Sequence, residues 1–104
     1  GVVHAGVLAT MADHTSGSAG ASLVRPGEYV LSAEFKINLL RAAQGRRLHC
    51  VGTVLKAGRR LIVAESEVFD GRPDNRRLVA KATVTLVVMT PSPATSAADD
   101  GAVC

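Results

Sequence analysis

The first quarter of the chain carries a pattern that predicts one buried helix, over about residues 5–23. Apolar residues are accompanied there by a row of small ones, namely Ala12, Ser16, Ala19 and Gly20. A glycine inside a helix costs about 1 kcal/mol relative to alanine, so we expect this row to serve close packing against a neighbouring backbone. The segment "RPGE" at residues 25–28 then predicts a turn that ends the helix.

Beyond residue 28 the hydrophobic period changes to two, which predicts strands with one buried face. Four such segments follow, at about residues 29–40, 47–56, 59–69 and 76–89. The buried face of the first is expected to carry Leu31, Ala33, Phe35, Ile37 and Leu39. Ser32 is then expected on the opposite, polar face. The buried face of the last is expected to carry Leu78, Ala80, Ala82, Val84, Leu86 and Val88.

The connections between these segments are short, which favours neighbouring antiparallel strands. We therefore expect a meander, with a two-residue hairpin turn at Ala57 and Gly58 and a longer turn over residues 70–75. One helix is available to cover four strands, so the sheet should curve around it. The predicted fold class is α+β, a curved antiparallel sheet wrapped around one long central helix. Residues 1–89 are predicted to form this domain and residues 90–104 a disordered tail.

Composition narrows the class of protein further. The chain has 104 residues, 3% aromatic content and a formal net charge of +3, so we expect one domain with an aliphatic core. The mild positive charge suits a small anionic ligand, whereas nucleic-acid binding would need a basic stripe with stacking aromatics. No apolar run reaches the roughly 18 residues that cross a bilayer. Cys50 and Cys104 do not make a disulfide framework, which favours a reduced, cytoplasmic protein.

Four stretches of the sequence, in collinear order, carry a resemblance to one enzyme family. The segment "HAGVLATMADHTSGSAG" (4–20) is followed by "INLLRAAQG" (37–45), "VLKAGRRLIVAESEV" (54–68) and "LVAKATVTLVV" (78–88). Together they resemble the hotdog-fold acyl-CoA thioesterases, and more narrowly the phenylacetate-pathway (PaaI-type) thioesterases. The family pattern of His-Gly-Gly, a short apolar helix and then an acid appears here as His4-Ala5-Gly6 and Asp13.

The resemblance implies hydrolysis of an acyl-CoA thioester. Asp13 would act as general base on water or as nucleophile at the thioester carbonyl, the alternative being a hydrogen-bonded helix aspartate. The backbone amides of Ala5 and Gly6 would stabilise the oxyanion, the alternative being an ordinary helix start. Ser32 would hold the attacking water or else face solvent. His4 would brace the start of the helix, with a catalytic role as the alternative. Coenzyme A leaves as a thiol, so neither a metal nor a redox cofactor is expected.

Two departures from the family pattern concern the start of the helix. The usual first glycine is Ala5, which keeps the backbone N–H but limits close approach. Relatives place an Asn or Gln a few residues before the histidine, and this chain, which begins at Gly1 without an initiator Met, has none. Two questions are left open by this: whether the natural protein is longer, and whether such an upstream side chain completes the site.

The spacing of the candidate residues predicts an oligomer. Ala5 and Asp13 are eight positions apart, which is about 12 Å along a helix at about 1.5 Å per residue. One carbonyl group cannot contact both ends of that span on a single helix. If both act on one thioester they must come from different chains, so we expect a homodimer with antiparallel central helices and sites at the interface. We also expect two dimers to stack into a tetramer, in a packing that the sequence leaves open.

Four basic residues lie near strand ends and are candidates to bind the phosphates of coenzyme A, with a solvated rim as the alternative. They are Arg41, Lys56, Arg59 and Arg60. Four other arginines have less support from the pattern, namely Arg46, Arg47, Arg76 and Arg77.

Two other functions stay open, a non-catalytic acyl-CoA binding module and a hotdog dehydratase. The dehydratase would need a catalytic histidine beside the acid, whereas His14 points along a different helix face from Asp13. No metal-ligand spacing is visible around His14 or His49. The sequence leaves the acyl group of the substrate open.

Overall fold

The structure, a computed structural model, describes residues 2–44 and 47–91. One helix is followed by four strands, in the order that the hydrophobic pattern predicts. They are α1 (Ala5–Ala21), β1 (Tyr29–Leu39), β2 (Leu48–Ala57), β3 (Leu61–Arg72) and β4 (Asn75–Met89). Arg46 and the predicted tail beyond residue 91 lie outside the described residues. No helix in the described ranges is long and apolar enough to span a membrane.

Helix α1 ends at Ala21, two residues before the predicted end at residue 23. Its buried stripe consists of Leu8, Ala12, Ser16 and Gly20. These positions recur every four residues, so they share one face of a helix with 3.6 residues per turn. Of the predicted row of small residues, Ala12, Ser16 and Gly20 therefore face the sheet, whereas Ala19 is half-buried beside this stripe.

The sheet is antiparallel throughout, with strand order β1-β4-β3-β2. Strands β2, β3 and β4 form the predicted meander, but β1 pairs with β4 at the far edge. The prediction of a four-stranded meander is therefore wrong. Strand β1 ends at Leu39 and β2 begins at Leu48, so their connection is also two residues longer than predicted. Helix α1 contacts all four strands of the curved sheet.

One extra residue in β1, Ala33, changes which side chains face the helix. Pairing between β1 and β4 continues on both sides of Ala33, which forms a β-bulge. Because side chains alternate along a strand, the bulge puts Ser32 on the same face as Phe35. Ser32 lies opposite Leu86, which is buried in the core. The prediction that Ser32 faces outward is wrong, since its hydroxyl donates to Asp13 of the helix. The predicted burial of Leu31 and Ala33 is also wrong, since both are exposed.

A second bulge, at Val79 of β4, corrects the predicted buried face of that strand. The pairing of β3 with β4 passes from Val68–Ala80 directly to Phe69–Leu78, so Val79 is the extra residue. Val79 is fully buried. Leu78 is turned to the outer face beside Phe69, contrary to the prediction that it shares the buried face of Ala80.

Both hairpin turns differ in length from their predictions. Strands β3 and β4 run to within two residues of each other, so only residues 73–74 form the turn that was predicted over residues 70–75. Gly71 supports this close approach with a φ of 111°, which a residue with a side chain rarely adopts. The β2–β3 turn instead spans residues 58–60, closed by the Gly58 N–H donating to the Leu61 carbonyl at 2.8 Å.

Helix and sheet touch backbone to backbone at Gly52 of β2. A Cβ at this position would lie 2.8 Å from the Thr15 carbonyl oxygen. Nearby, the buried Ser66 hydroxyl donates to the Ala12 carbonyl at 2.8 Å and lies 2.6 Å from the Ser16 hydroxyl oxygen. Small side chains and one shared hydrogen-bond network therefore fix the helix on the sheet.

Replacing Gly52 by alanine is expected to lower the free energy of unfolding by about 1–3 kcal/mol, because the added methyl group meets helix backbone that cannot turn away. Gly17→Ala is the matched control: a Cβ there meets nothing within 4 Å, and alanine in a helix interior should raise stability by about 1 kcal/mol. Denaturant unfolding at one fixed protein concentration measures both. Equal stability of the two variants would contradict this account of the packing.

Candidate active site

Asp13 lies in the middle of α1, where β1 passes alongside the helix. Its Oδ1 accepts a hydrogen bond from the Ser32 hydroxyl at 2.8 Å. The bulge at Ala33 makes this contact possible, because it turns the hydroxyl toward the helix. Asp13 is half-buried, and its Oδ2 has no hydrogen-bond partner in the described part of the chain. A carboxylate that is fixed through one oxygen and open at the other can take a proton from water.

The first three backbone amides of α1 differ in their hydrogen-bond acceptors. His4 is the N-cap residue, and its Nδ1 accepts the Gly6 N–H at 2.9 Å. The Val7 N–H donates to the His4 carbonyl at 2.9 Å. The Ala5 N–H has no acceptor among the residues that the structure describes. Of the two amides expected to bind an oxyanion, that of Ala5 is available, whereas that of Gly6 is occupied by His4.

The carboxylate and the available amide are far apart within one chain. Helix α1 is regular from Ala5 to Ala21, so the eight positions between Ala5 and Asp13 correspond to about 12 Å. A single copy of the chain therefore does not bring the two groups to one carbonyl.

Two cavities lie at opposite ends of α1. The smaller, of about 490 Å³, borders the start of the helix and is lined by Ala5, Leu8 and residues 39–43. Arg41 is the charged residue of this lining. The larger, of about 930 Å³, lies beyond the other end of the helix, where the chain passes through Leu23 and Val24.

The larger cavity combines an apolar floor with a cationic rim. Val24, Ile62 and Val88 form part of the floor. Three arginines belong to its lining, namely Arg25, Arg59 and Arg60, and none of them forms a salt bridge within the described ranges. Glu28 is the one acid of the lining. An excess of positive charge beside apolar surface suits an anion that carries an apolar part.

The four basic candidates from the sequence do not come together in one chain. Arg59 and Arg60 share the larger cavity, Arg41 lies at the smaller one, and Lys56 lines neither. Sequence reasoning missed Arg25, whose only signal was a position in the turn that directly follows the helix. Arg47, Arg76 and Arg77 line neither cavity.

The described residues contain no group of three or more His, Cys, Asp or Glu side chains arranged to hold a metal ion. His14 and His49 are exposed. Cys50 is half-buried on the helix-facing side of β2, with its Sγ 3.8 Å from the Met11 carbonyl oxygen.

The family of the chain follows from comparison with known proteins. A family model described as "Thioesterase superfamily" matches residues 1–76. The chain belongs to the thioesterase superfamily. Its helix on a curved antiparallel sheet is the hotdog fold, as the motifs predict. No curated protein matches the chain.

Several solved structures resemble the chain in fold and sequence. A thioesterase family protein from Silicibacter pomeroyi is 36% identical over 86% of this chain and 66% of its own, with a TM-score of 0.82. A conserved protein from Pseudomonas aeruginosa is 38% identical over 86% of this chain and 68% of its own, with a TM-score of 0.75. A Bacillus halodurans protein solved with CoA is 26% identical over 85% of this chain and 56% of its own, with a TM-score of 0.78. The chain thus spans between 56% and 68% of these three proteins.

Proposed function

We propose that this thioesterase-superfamily protein is an acyl-CoA thioesterase of the phenylacetate-pathway type, which hydrolyses an acyl-CoA to the free acid and coenzyme A. The observation that carries the proposal is the Asp13 carboxylate, fixed through Oδ1 by Ser32 and open at Oδ2. The order of motifs from His4 to Asp13 also supports it. The CoA found with the Bacillus halodurans relative supports coenzyme A as the leaving group.

In the proposed reaction Asp13 Oδ2 takes a proton from a water molecule as the water oxygen attacks the thioester carbonyl carbon. The Ser32 hydroxyl keeps the carboxylate in one orientation. The carbonyl oxygen becomes an oxyanion, which the Ala5 N–H at the positive end of a helix dipole stabilises. The carbon–sulfur bond then breaks, and the departing thiolate takes up the proton from Asp13. Each step uses side chains and backbone alone, so the reaction needs neither a metal nor a redox cofactor.

The distance between the acid and the amide supports a homodimer in which each site takes Asp13 from one copy and the Ala5 amide from the other. Val7 on the helix and Leu39 at the end of β1 are 48% and 51% exposed, and a second copy would cover such apolar surface. Strand β1 is also an edge of the sheet, with backbone groups available for pairing. Two such dimers would stack into the expected tetramer.

The larger cavity is the proposed place for the phosphates of coenzyme A. Arg59 and Arg60 were candidates from the sequence, and Arg25 extends the same cationic rim. Asp13 lies eight positions from the end of α1 at Ala21, so this cavity begins about 12 Å along the helix from the carboxylate. The cysteine usage of the chain supports a cytoplasmic location.

A thiol-release assay tests the proposal. Purified protein is given short-chain, long-chain and aromatic acyl-CoAs, and free thiol is measured against time. We expect steady release from at least one class with a turnover of about 1 per second or faster, as is typical of enzymes. Tight binding of acyl-CoA without thiol release over hours would contradict hydrolysis and identify a non-catalytic binding module.

A further inference from the structure

Residues 40–44, which follow β1 in the crossover to β2, lie beside the start of α1 and are fastened at each end of this stretch. At one end the Leu40 N–H donates to the Val79 carbonyl at 2.8 Å. At the other end the Gln44 N–H donates to Asp70 Oδ2 at 2.6 Å. Between these points the Ala43 carbonyl accepts the Val3 N–H at 2.9 Å.

Asp70 is an unusual residue for this position. It lies near the end of β3 and is only 5% exposed, although it carries a carboxylate. Its partners are the short bond from Gln44 and a longer contact, 3.8 Å, with the half-exposed Arg77 guanidinium. Burial of a charge costs free energy unless hydrogen bonds compensate it. A bond from a backbone N–H to a carboxylate is stronger than one between neutral groups.

A continuous set of contacts leads from Asp70 to the start of α1. Gln44 is bonded to Asp70, and the next residue along, Ala43, is fully buried in one cluster with Leu8 of the helix. Ala43 also holds Val3. Val3 directly precedes the N-cap His4, so its position sets the direction in which the chain enters the helix.

We infer that Asp70 is a positioning residue for the amides at the start of α1: by fixing the β1–β2 crossover, it fixes the segment from which the Ala5 N–H points. The inference rests on the proposed function only for its effect on catalysis. Its effect on the structure of the helix start is independent of any activity.

The test compares Asp70→Ala with Asp70→Asn, which keeps an oxygen that can accept the Gln44 N–H. Hydrogen exchange is measured at the Val3 amide, relative to amides in the middle of β3, together with kcat and KM for the best acyl-CoA of the panel. Asp70→Leu, which fills the buried volume without an acceptor, replaces the alanine variant if that variant does not fold. Glu67→Ala, on the outer face of the same strand, is the control for loss of a negative charge.

In Asp70→Ala we expect Val3 to lose about tenfold of its relative protection, the effect of one hydrogen bond. We expect kcat to fall by about the same factor with KM little changed, because an oxyanion donor acts in the transition state. Asp70→Asn and Glu67→Ala should retain both the relative protection of the Val3 amide and the kcat of the unaltered protein. Unchanged relative protection of Val3 in the alanine or leucine variant would overturn the inference. Lost protection in a protein that hydrolyses no acyl-CoA would support the positioning of the helix start while contradicting the proposed function.

Discussion

Asp13→Ala is expected to lower kcat for acyl-CoA hydrolysis by about a thousandfold, within the range that a general base contributes. The fold should persist, because Asp13 is half-buried and its one hydrogen bond in the described chain is from Ser32. Asp13→Asn should lose about as much activity, since its amide keeps an oxygen for the Ser32 hydroxyl but cannot take a proton. Steady-state kinetics with the best substrate of the acyl-CoA panel measure the loss, and circular dichroism checks the fold.

His14→Ala is the matched control for the carboxylate variants. His14 is the next residue along the helix and is exposed, so its loss should leave kcat within about twofold. This control also addresses the dehydratase alternative, which would need a histidine beside the acid. Full activity of Asp13→Ala would contradict the general-base role, and strong loss in His14→Ala would favour chemistry that uses the imidazole.

Mixing two inactive variants is expected to restore activity, because each site should combine two copies of the chain. Asp13→Ala removes the acid, and Ala5→Pro removes the N–H that would bind the oxyanion. Proline suits this position, since Ala5 is the first residue of the helix and His4 before it has extended backbone angles, φ −63° and ψ 139°. The proline variant alone should lose about a hundredfold or more in kcat, the usual effect of removing one oxyanion donor.

In a mixed dimer of these variants, one site combines both defects and the other has neither. Random pairing makes half of all dimers mixed, so about a quarter of the wild-type activity should return after co-refolding of equal amounts. A mixture of Asp13→Ala with Asp13→Asn is the control and should stay inactive. If native mass spectrometry shows mixed dimers but no activity returns, the acid and the oxyanion donor do not come from different copies.

The hydrophobic pattern predicted the elements of this fold better than their arrangement. Period-two alternation identified all four strands, and the small residues of α1 predicted a helix gripped by the sheet. Strand order was missed, because short connections favour sequential pairing and carry no information about a crossover from one edge of the sheet to the other. The bulges at Ala33 and Val79 were missed because each adds one ordinary apolar residue to a strand whose alternation looks continuous.

Prediction of the candidate site depended on whether its residues are local in the chain. The motif from His4 to Asp13 is contiguous, so the sequence placed the N-cap histidine and the acid on one helix. Arg25 lines the larger cavity and Asp70 accepts the Gln44 N–H, and both contacts depend on distant parts of the chain. In the sequence each resembled an ordinary turn residue. The hydrogen bond from the Gly6 N–H to His4 Nδ1 depends on the conformation of the histidine side chain, so the spacing of residues in the sequence could not predict it.

Because of the bulge at Ala33, the direction of the Ser32 hydroxyl depends on the number of residues in β1 and not on which residue occupies position 33. Exchanging Ala33 for another residue keeps the number of residues in β1 and therefore the bulge. Removing Ala33 would move every side chain that precedes it in the strand to the opposite face of the sheet. Serine would then point away from the carboxylate with its own identity unchanged. When this chain is aligned with relatives, a one-residue gap at this point therefore marks proteins in which the aspartate and the serine are both present but do not form the hydrogen bond.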